Sequence, residues 1–197
     1  SMRGAYYYDI FDLLLVPFYL VIIYLVANNI SKKNINKYPE YKYFKKGIYI
    51  KLIGVSLFLM FYTLYYPTGD TISYYEGSRS LARLLFQDFN KGLQVLFNTD
   101  SIYNSINSFN YQTGRPPFYI FRDTKTFNVC RFSIVFYLLG SGSLIVSSFL
   151  CSTFSYFGIW KLYRLFNHVF LGKSIPFAYF ILFMPSLVFW GGGIMKD

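Results

Sequence analysis

The stretch from Ile10 to Ala27, IFDLLLVPFYLVIIYLVA, is 18 residues of almost unbroken aliphatic and aromatic side chains. As a helix it is about 27 Å long at 1.5 Å per residue, close to the ~30 Å hydrocarbon thickness of a bilayer. It can cross once. A cleaved signal peptide would open on a basic segment and carry a shorter core ending in small residues. Here Asp9 and Asp12 open the run, and Asn28, Asn29 and Lys32 follow it; the segment is expected to stay. Ser1 ahead of Met2 is read as a residue left by expression. The rest of the 197-residue chain agrees with a membrane setting: apolar residues make up 54%, aromatic residues 23% and charged residues only 14%. A soluble fold carries about 25% charged residues. The net charge of +10 is gathered in clusters between apolar runs, which points to basic loops beside spans and away from nucleic acid.

A second apolar run, Ile48 to Tyr66, carries Lys51 near its start, where its ammonium is expected to snorkel to the headgroups. Between the two runs lies SKKNINKYPEYKYFKKG, with Lys32, Lys33, Lys37, Lys42, Lys45 and Lys46 against the single acid Glu40. A short loop this basic stays cytoplasmic, which puts the N-terminus outside. Residues 67 to 130 then fall outside, with charges nearly balanced. The next apolar stretch, 131 to 160, is too long for one upright span, and Gly140-Ser141-Gly142 divides it. Either both halves cross as a hairpin, or 131–139 lies on the outer interface and 144–160 crosses inward. The second reading keeps Lys161, Arg164 and Lys173 in the cytoplasm and agrees with the charge bias. A last run, Ile175 to Trp190, returns outward. The expected fold is all-α and polytopic, with about four transmembrane helices and a long outer loop carrying interfacial helices. Residues 1–66 hold two spans and the basic loop, 67–130 the outer loop, and 131–197 an interfacial helix and two further spans. The chain is expected to be the N-terminal portion of a longer protein.

Connections as long as this outer loop tend to carry function. Its segment DTISYYEGSRSLARLLF sets Tyr74, Leu81, Leu84 and Leu85 on one flank and Arg79 and Arg83 on the other, the pattern of an amphipathic helix in the interface. Further on, the paired prolines of GRPPFYIF turn the chain back toward the membrane. Asp70 has two readings. It is an N-cap, with Ser73 and Glu76 spaced as a capping box, or a general base at the mouth of an outward-facing cavity.

Several pieces follow the order of the GT-C superfamily of integral-membrane glycosyltransferases, and residues 67 to 197 resemble its protein O-mannosyltransferase and aminoarabinose transferase branch. Asp70-Thr71, Tyr74 and Ser78 to Leu85 look like that branch's first outer loop, with its Asp-Glu pair, Tyr and small-residue helix. Arg115-Pro116-Pro117-Phe118, Arg131, Lys161-Leu162-Tyr163-Arg164, Pro185-Ser186 and Lys196-Asp197 follow in the family's order. Two positions depart: Thr71 stands for the second acid, and Arg115 for a histidine. The resemblance implies transfer of a sugar from a polyprenyl-phosphate donor to an acceptor glycan, lipid or protein on the outer face of a bacterial inner membrane. Asp70 would be the general base; Tyr74, Arg115, Arg131, Lys196 and Asp197 would bind substrate, the cations stabilising the leaving phosphate. Lys196-Asp197 also reads as an exposed ion pair. No cofactor is expected, and without a second adjacent acid a divalent cation lacks a paired-carboxylate site.

The remaining features are read structurally. His168 is alone, and a metal site needs more ligands of its kind. Cys130 and Cys151 suggest no disulfide framework, and Gly191-Gly192-Gly193 lacks phosphate-loop spacing. Tyrosines at span ends suit the headgroup layer. Two rivals to the transferase remain: a membrane polysaccharide polymerase, and a non-catalytic subunit of a transport or export complex.

Overall fold

The computed structural model describes residues 7–66, 69–97, 105–122, 124–170 and 174–194, and every regular element among them is helical. Along the chain these are α1 Asp12–Ile35, α2 Phe44–Met60, α3 Asp70–Gln87, α4 Phe89–Phe97, α5 Phe118–Arg122, α6 Thr124–Leu139, α7 Leu144–Val169, α8 Ser174–Phe177 and α9 Pro185–Trp190. A 3₁₀ turn, Pro39–Tyr43, leads into α2, and π turns follow α2 at Phe61–Tyr65 and α8 at Ala178–Leu182. Lys196, Asp197, Lys173, Pro67 and Thr68 lie outside the described residues.

Among the described residues two helices are long and apolar enough to cross a membrane, Asp12–Ile35 and Pro39–Tyr65; α6 and α7 add a third if that bent pair counts as one span. The last apolar run is not one helix. Met184 takes φ −64°, ψ 120° ahead of Pro185, because the proline ring disfavours helical backbone in the preceding residue. The run is thus divided into α8, the π turn and α9, each too short to cross alone.

The chain forms two compact units: a loop unit, residues 62–147 with 1–8 and 194–197, and a span unit, residues 9–61 and 148–193. In the span unit α1 buries only Asp12 and the stripe Ile23, Ala27 and Ser31; Leu13, Leu14, Phe18, Val21 and Leu25 are uncovered. In water that surface would be an aggregation liability, whereas lipid covers it at no cost. At its basic end Ser31 Oγ donates to the Tyr41 carbonyl at 3.1 Å and Lys45 Nζ to Asn28 Oδ1 at 3.0 Å. The same end of the unit is packed with aromatic rings. Trp160 meets Tyr41 and Phe44 edge-on at centroid distances of 5.1 and 5.0 Å. Tyr156 donates its hydroxyl to the Phe44 carbonyl at 2.9 Å, into space that a Cβ on Gly47 would occupy. Arg164 pairs with Glu40 at 3.5 Å and lies 4.6 Å over the Tyr38 ring. The lysine-rich loop and the basic part of α7 therefore share one end of this unit, as expected of segments on one side of a membrane.

In the loop unit α3 packs along α6 and α4. Tyr74, Leu81 and Leu84 are buried, as their spacing suggested. A helix rather than a lipid surface covers them. The seam is made of small residues: a Cβ on Gly77 would come within 2.5 Å of Cys130 Sγ, and Ser78 Oγ lies 2.7 Å from Ser133 Oγ. Such residues let helix backbones approach closely. The expected break at Gly140-Ser141-Gly142 is present. Ser141 (φ 53°) and Gly142 (φ 80°) are left-handed, the Gly142 amide donates to the Tyr137 carbonyl, and the Val146 amide donates to Ser143 Oγ at 3.2 Å. One helix is closed and the next is capped.

Candidate functional site

The start of α3 gathers acids and tyrosines from three parts of the loop unit. Its N-cap is Gly69, at φ −70° and ψ 161°, and no side chain caps the helix. Asp70 is therefore the first helical residue and not the cap. Its carboxylate is exposed, and among the described residues no hydrogen bond or ion pair holds it. The unpaired amides of the first turn still favour a negative charge there. The capping box is not formed either. Ser73 sits inside the helix with its hydroxyl turned back to the Gly69 carbonyl at 3.4 Å, and Glu76 accepts the Tyr7 hydroxyl at 2.6 Å.

Tyr62, from the π turn after α2, lies against the backbone of Gly69, where a Cβ would collide with its ring. Tyr119, from α5, lies beside the Ser73 side chain and feels the charges of both Asp70 and Glu76. Partial burial raises its phenol above the ordinary tyrosine value, the two carboxylates add to that, and the Ser73 contact pulls the other way. Tyr119 is thus a protonated donor at neutral pH. Tyr7 meets Tyr75 edge-on at 6.2 Å, and Tyr75 donates to the Gly142 carbonyl at 2.6 Å, which fixes the ring that holds Glu76. Chemically the patch offers two carboxylates that can accept hydroxyl protons, a phenol that can donate one, and aromatic surface for an apolar face.

The other expected residues fall elsewhere. Tyr74 is buried in the α3–α6 seam. Thr71 is fully buried and donates to the Ile194 carbonyl at 3.1 Å, so a second acid at this position would be enclosed. Arg115 is exposed, with no hydrogen bond or ion pair among the described residues. It follows Gly114 (φ 73°), which lies on Ser80, whereas Tyr119 reaches Ser73. The segment therefore runs back along α3 and leaves Arg115 near Ser80, roughly 15 Å along the helix from Asp70 at 1.5 Å per residue. Arg131 donates from Nε to the Val95 carbonyl at 3.1 Å, which ties α4 to α6, and within α6 it donates from Nη1 to Asn128 Oδ1 at 2.8 Å and lies 4.8 Å over Phe127. Lys196 and Asp197 lie outside the described residues. Among the described residues no group of three or more His, Cys, Asp or Glu is placed to hold a metal ion.

Sequence reading missed Tyr7 and Tyr119. Tyr7 belongs to a tyrosine run that resembles a headgroup belt, and nothing local ties it to Glu76, 69 positions away. No family model, curated protein or solved structure matches this chain.

Proposed function

We propose that the chain is part of a membrane glycosyltransferase of the GT-C kind, moving a sugar from a polyprenyl-phosphate donor to an extracytoplasmic acceptor. The observation that carries this reading is an uncapped, exposed Asp70 carboxylate at the start of α3, flanked by Tyr62 and Tyr119 and accompanied by Glu76. An acceptor hydroxyl is a poor nucleophile. Asp70 takes its proton as the oxygen attacks the anomeric carbon, one displacement inverts that centre, and the lipid phosphate departs. Glu76 and Tyr119 hold acceptor or sugar hydroxyls, and the tyrosine rings cover the apolar face of the sugar.

Arg115 is the proposed phosphate ligand, because its guanidinium is uncommitted and suits phosphate geometry. The reading requires the segment from Gly114 to Tyr119 to carry Arg115 toward Asp70 when the donor binds. Arg131, Lys196 and Asp197 are proposed as further donor and acceptor contacts. In this reading the lysine-rich loop is cytoplasmic, the N-terminus is outside a bacterial inner membrane, and α8 with α9 completes a fourth, broken crossing.

The test is Asp70→Asn introduced at the native locus. The variant is expected at wild-type levels in membranes, with transfer from a labelled polyprenyl-phosphate sugar reduced at least about 100-fold, the scale of general-base loss. Wild-type turnover would leave Asp70 as no more than a charge at a helix start.

A further inference from the structure

Through Tyr156 and Trp160, α7 packs on the start of α2 and the turn before it. Another face of the helix is uncovered. Phe154, Gly158, Lys161 and Leu165 recur at helical spacing, so they share that face, and all four are exposed. An open groove of about 330 Å³ runs along it, lined by Phe154, Ser155, Phe157, Gly158 and Lys161. Nothing lies within 4 Å of a Cβ placed on Gly158, and Ser155 turns its hydroxyl to the Ser152 carbonyl at 2.9 Å. The floor is therefore small and offers no free hydroxyl. Phe157 is steadied by Phe44 at a centroid distance of 6.1 Å, and Phe154 is 61% exposed.

One end of the groove is charged. Trp160, just before Lys161, meets Tyr41 and Phe44, and Arg164, just after it, meets Glu40, so Lys161 stands at the level of the lysine-rich turn. Among the described residues no hydrogen bond or ion pair holds it, and Glu40, the single acid of that loop, is taken by Arg164. Phe154 lies roughly 10 Å further into the apolar part of the helix at 1.5 Å per residue. We propose that this groove holds a single anionic phospholipid, its phosphate on Lys161 and one acyl chain over Ser155 and Gly158 between the two rings. Charge and shape decide the occupant. An apolar slot that ends on an unpaired cation, beside a cluster of further lysines, matches a negative headgroup with its tail running away from it. A second copy of this chain, seated on the same face in the same bilayer orientation, would bring Lys161 against Lys161 and one lysine-rich turn against another. Because Lys161 is exposed, the phosphate oxygens it does not reach stay hydrated. The site rests on α7 being embedded in the membrane, as in the proposed topology, and on nothing at Asp70.

The experiment is native mass spectrometry of the full chain in neutral detergent, titrated with phosphatidylglycerol or with phosphatidylcholine of the same chain length. One phosphatidylglycerol is expected to bind about five-fold more tightly than phosphatidylcholine, the scale of one basic contact to an anionic lipid. Lys161→Gln is expected to erase that preference. Gly158→Leu, which fills the slot, is expected to weaken the binding of both lipids. Lys46→Gln, at an exposed lysine of the same end, should leave the preference intact. Both groove positions are exposed, so both variants are expected to keep the wild-type unfolding midpoint in detergent. Equal binding of the two lipids by the wild-type protein, a preference kept in Lys161→Gln, undiminished binding in Gly158→Leu, or an equal loss in Lys46→Gln would overturn the proposal. Displacement of phosphatidylglycerol by inorganic phosphate at equal concentration would overturn it in favour of a free anion. A dimer in the spectra that Gly158→Leu dissolves would overturn it by giving the groove to a second copy.

Discussion

The two units hold their helices together by opposite means. The span unit sets large rings into sockets: Trp160 between Tyr41 and Phe44, and Tyr156 over Gly47. The loop unit brings small residues face to face, Gly77 on Cys130 and Ser78 on Ser133. Membrane helices usually rely on small residues, because apolar burial gains little against lipid. Here the small-residue seam joins α3 to α6, and the aromatic seam joins the lysine-rich turn and the start of α2 to α7. The two units should therefore fail differently, one by truncation and the other by enlargement.

The largest expected effect is in the span unit. Trp160→Ala removes a 4%-exposed ring that touches Tyr41, Phe44 and Tyr163, and should cost about 3–5 kcal/mol in detergent unfolding. A loss below about 1 kcal/mol would mean the ring cluster is not what holds α2 to α7.

In the loop unit the expected damage comes from added volume. Gly77→Leu drives a side chain into Cys130 and should cost about 1–3 kcal/mol. Gly158 has nothing within 4 Å of an added Cβ, so Gly158→Leu is the matched control and should be neutral or slightly stabilising through helix propensity. Equal effects at the two glycines would erase the contrast.

The smallest effect concerns the start of α4. Asp88 accepts the Lys91 amide at 3.1 Å, and that hydrogen bond, aided by the Lys91 charge, holds its carboxyl below the usual range. A lowered folded value means the contribution is present above the unfolded carboxylate range and is lost as pH falls through the folded one. A small acid-dependent loss of protection at the α4 amides, read by hydrogen exchange and absent in Asp88→Ala, is the expected result.

Much of the fold is legible in the sequence because its signals are local. The 18-residue run from Ile10, apolar but for Asp12, is long enough to cross a bilayer, Gly140-Ser141-Gly142 needs left-handed backbone, and the spacing of Tyr74, Leu81 and Leu84 needs a buried face. The last run is less legible: hydropathy alone reads Ile175 to Trp190 as one continuous helix, while Pro185 sets the backbone of Met184 and divides it. The candidate site is less legible. Asp70 is visible as an acid after a turn, but Gly69 rather than Asp70 caps the helix. Tyr7, Tyr62 and Tyr119 join it only through tertiary packing, which leaves no periodic trace.

The account depends most on which face of the membrane carries Asp70. Its unit exposes Tyr111 fully, at 102%, while Lys46 is exposed on the lysine-rich loop of the other unit. With Cys130 and Cys151 replaced by Ala, Tyr111→Cys and Lys46→Cys can each be challenged by a membrane-impermeant maleimide on intact cells. Labelling of Tyr111→Cys alone is the expected result. Labelling of Lys46→Cys, with Tyr111→Cys reached only after permeabilisation, would put Asp70 on the cytoplasmic side and contradict the proposed chemistry.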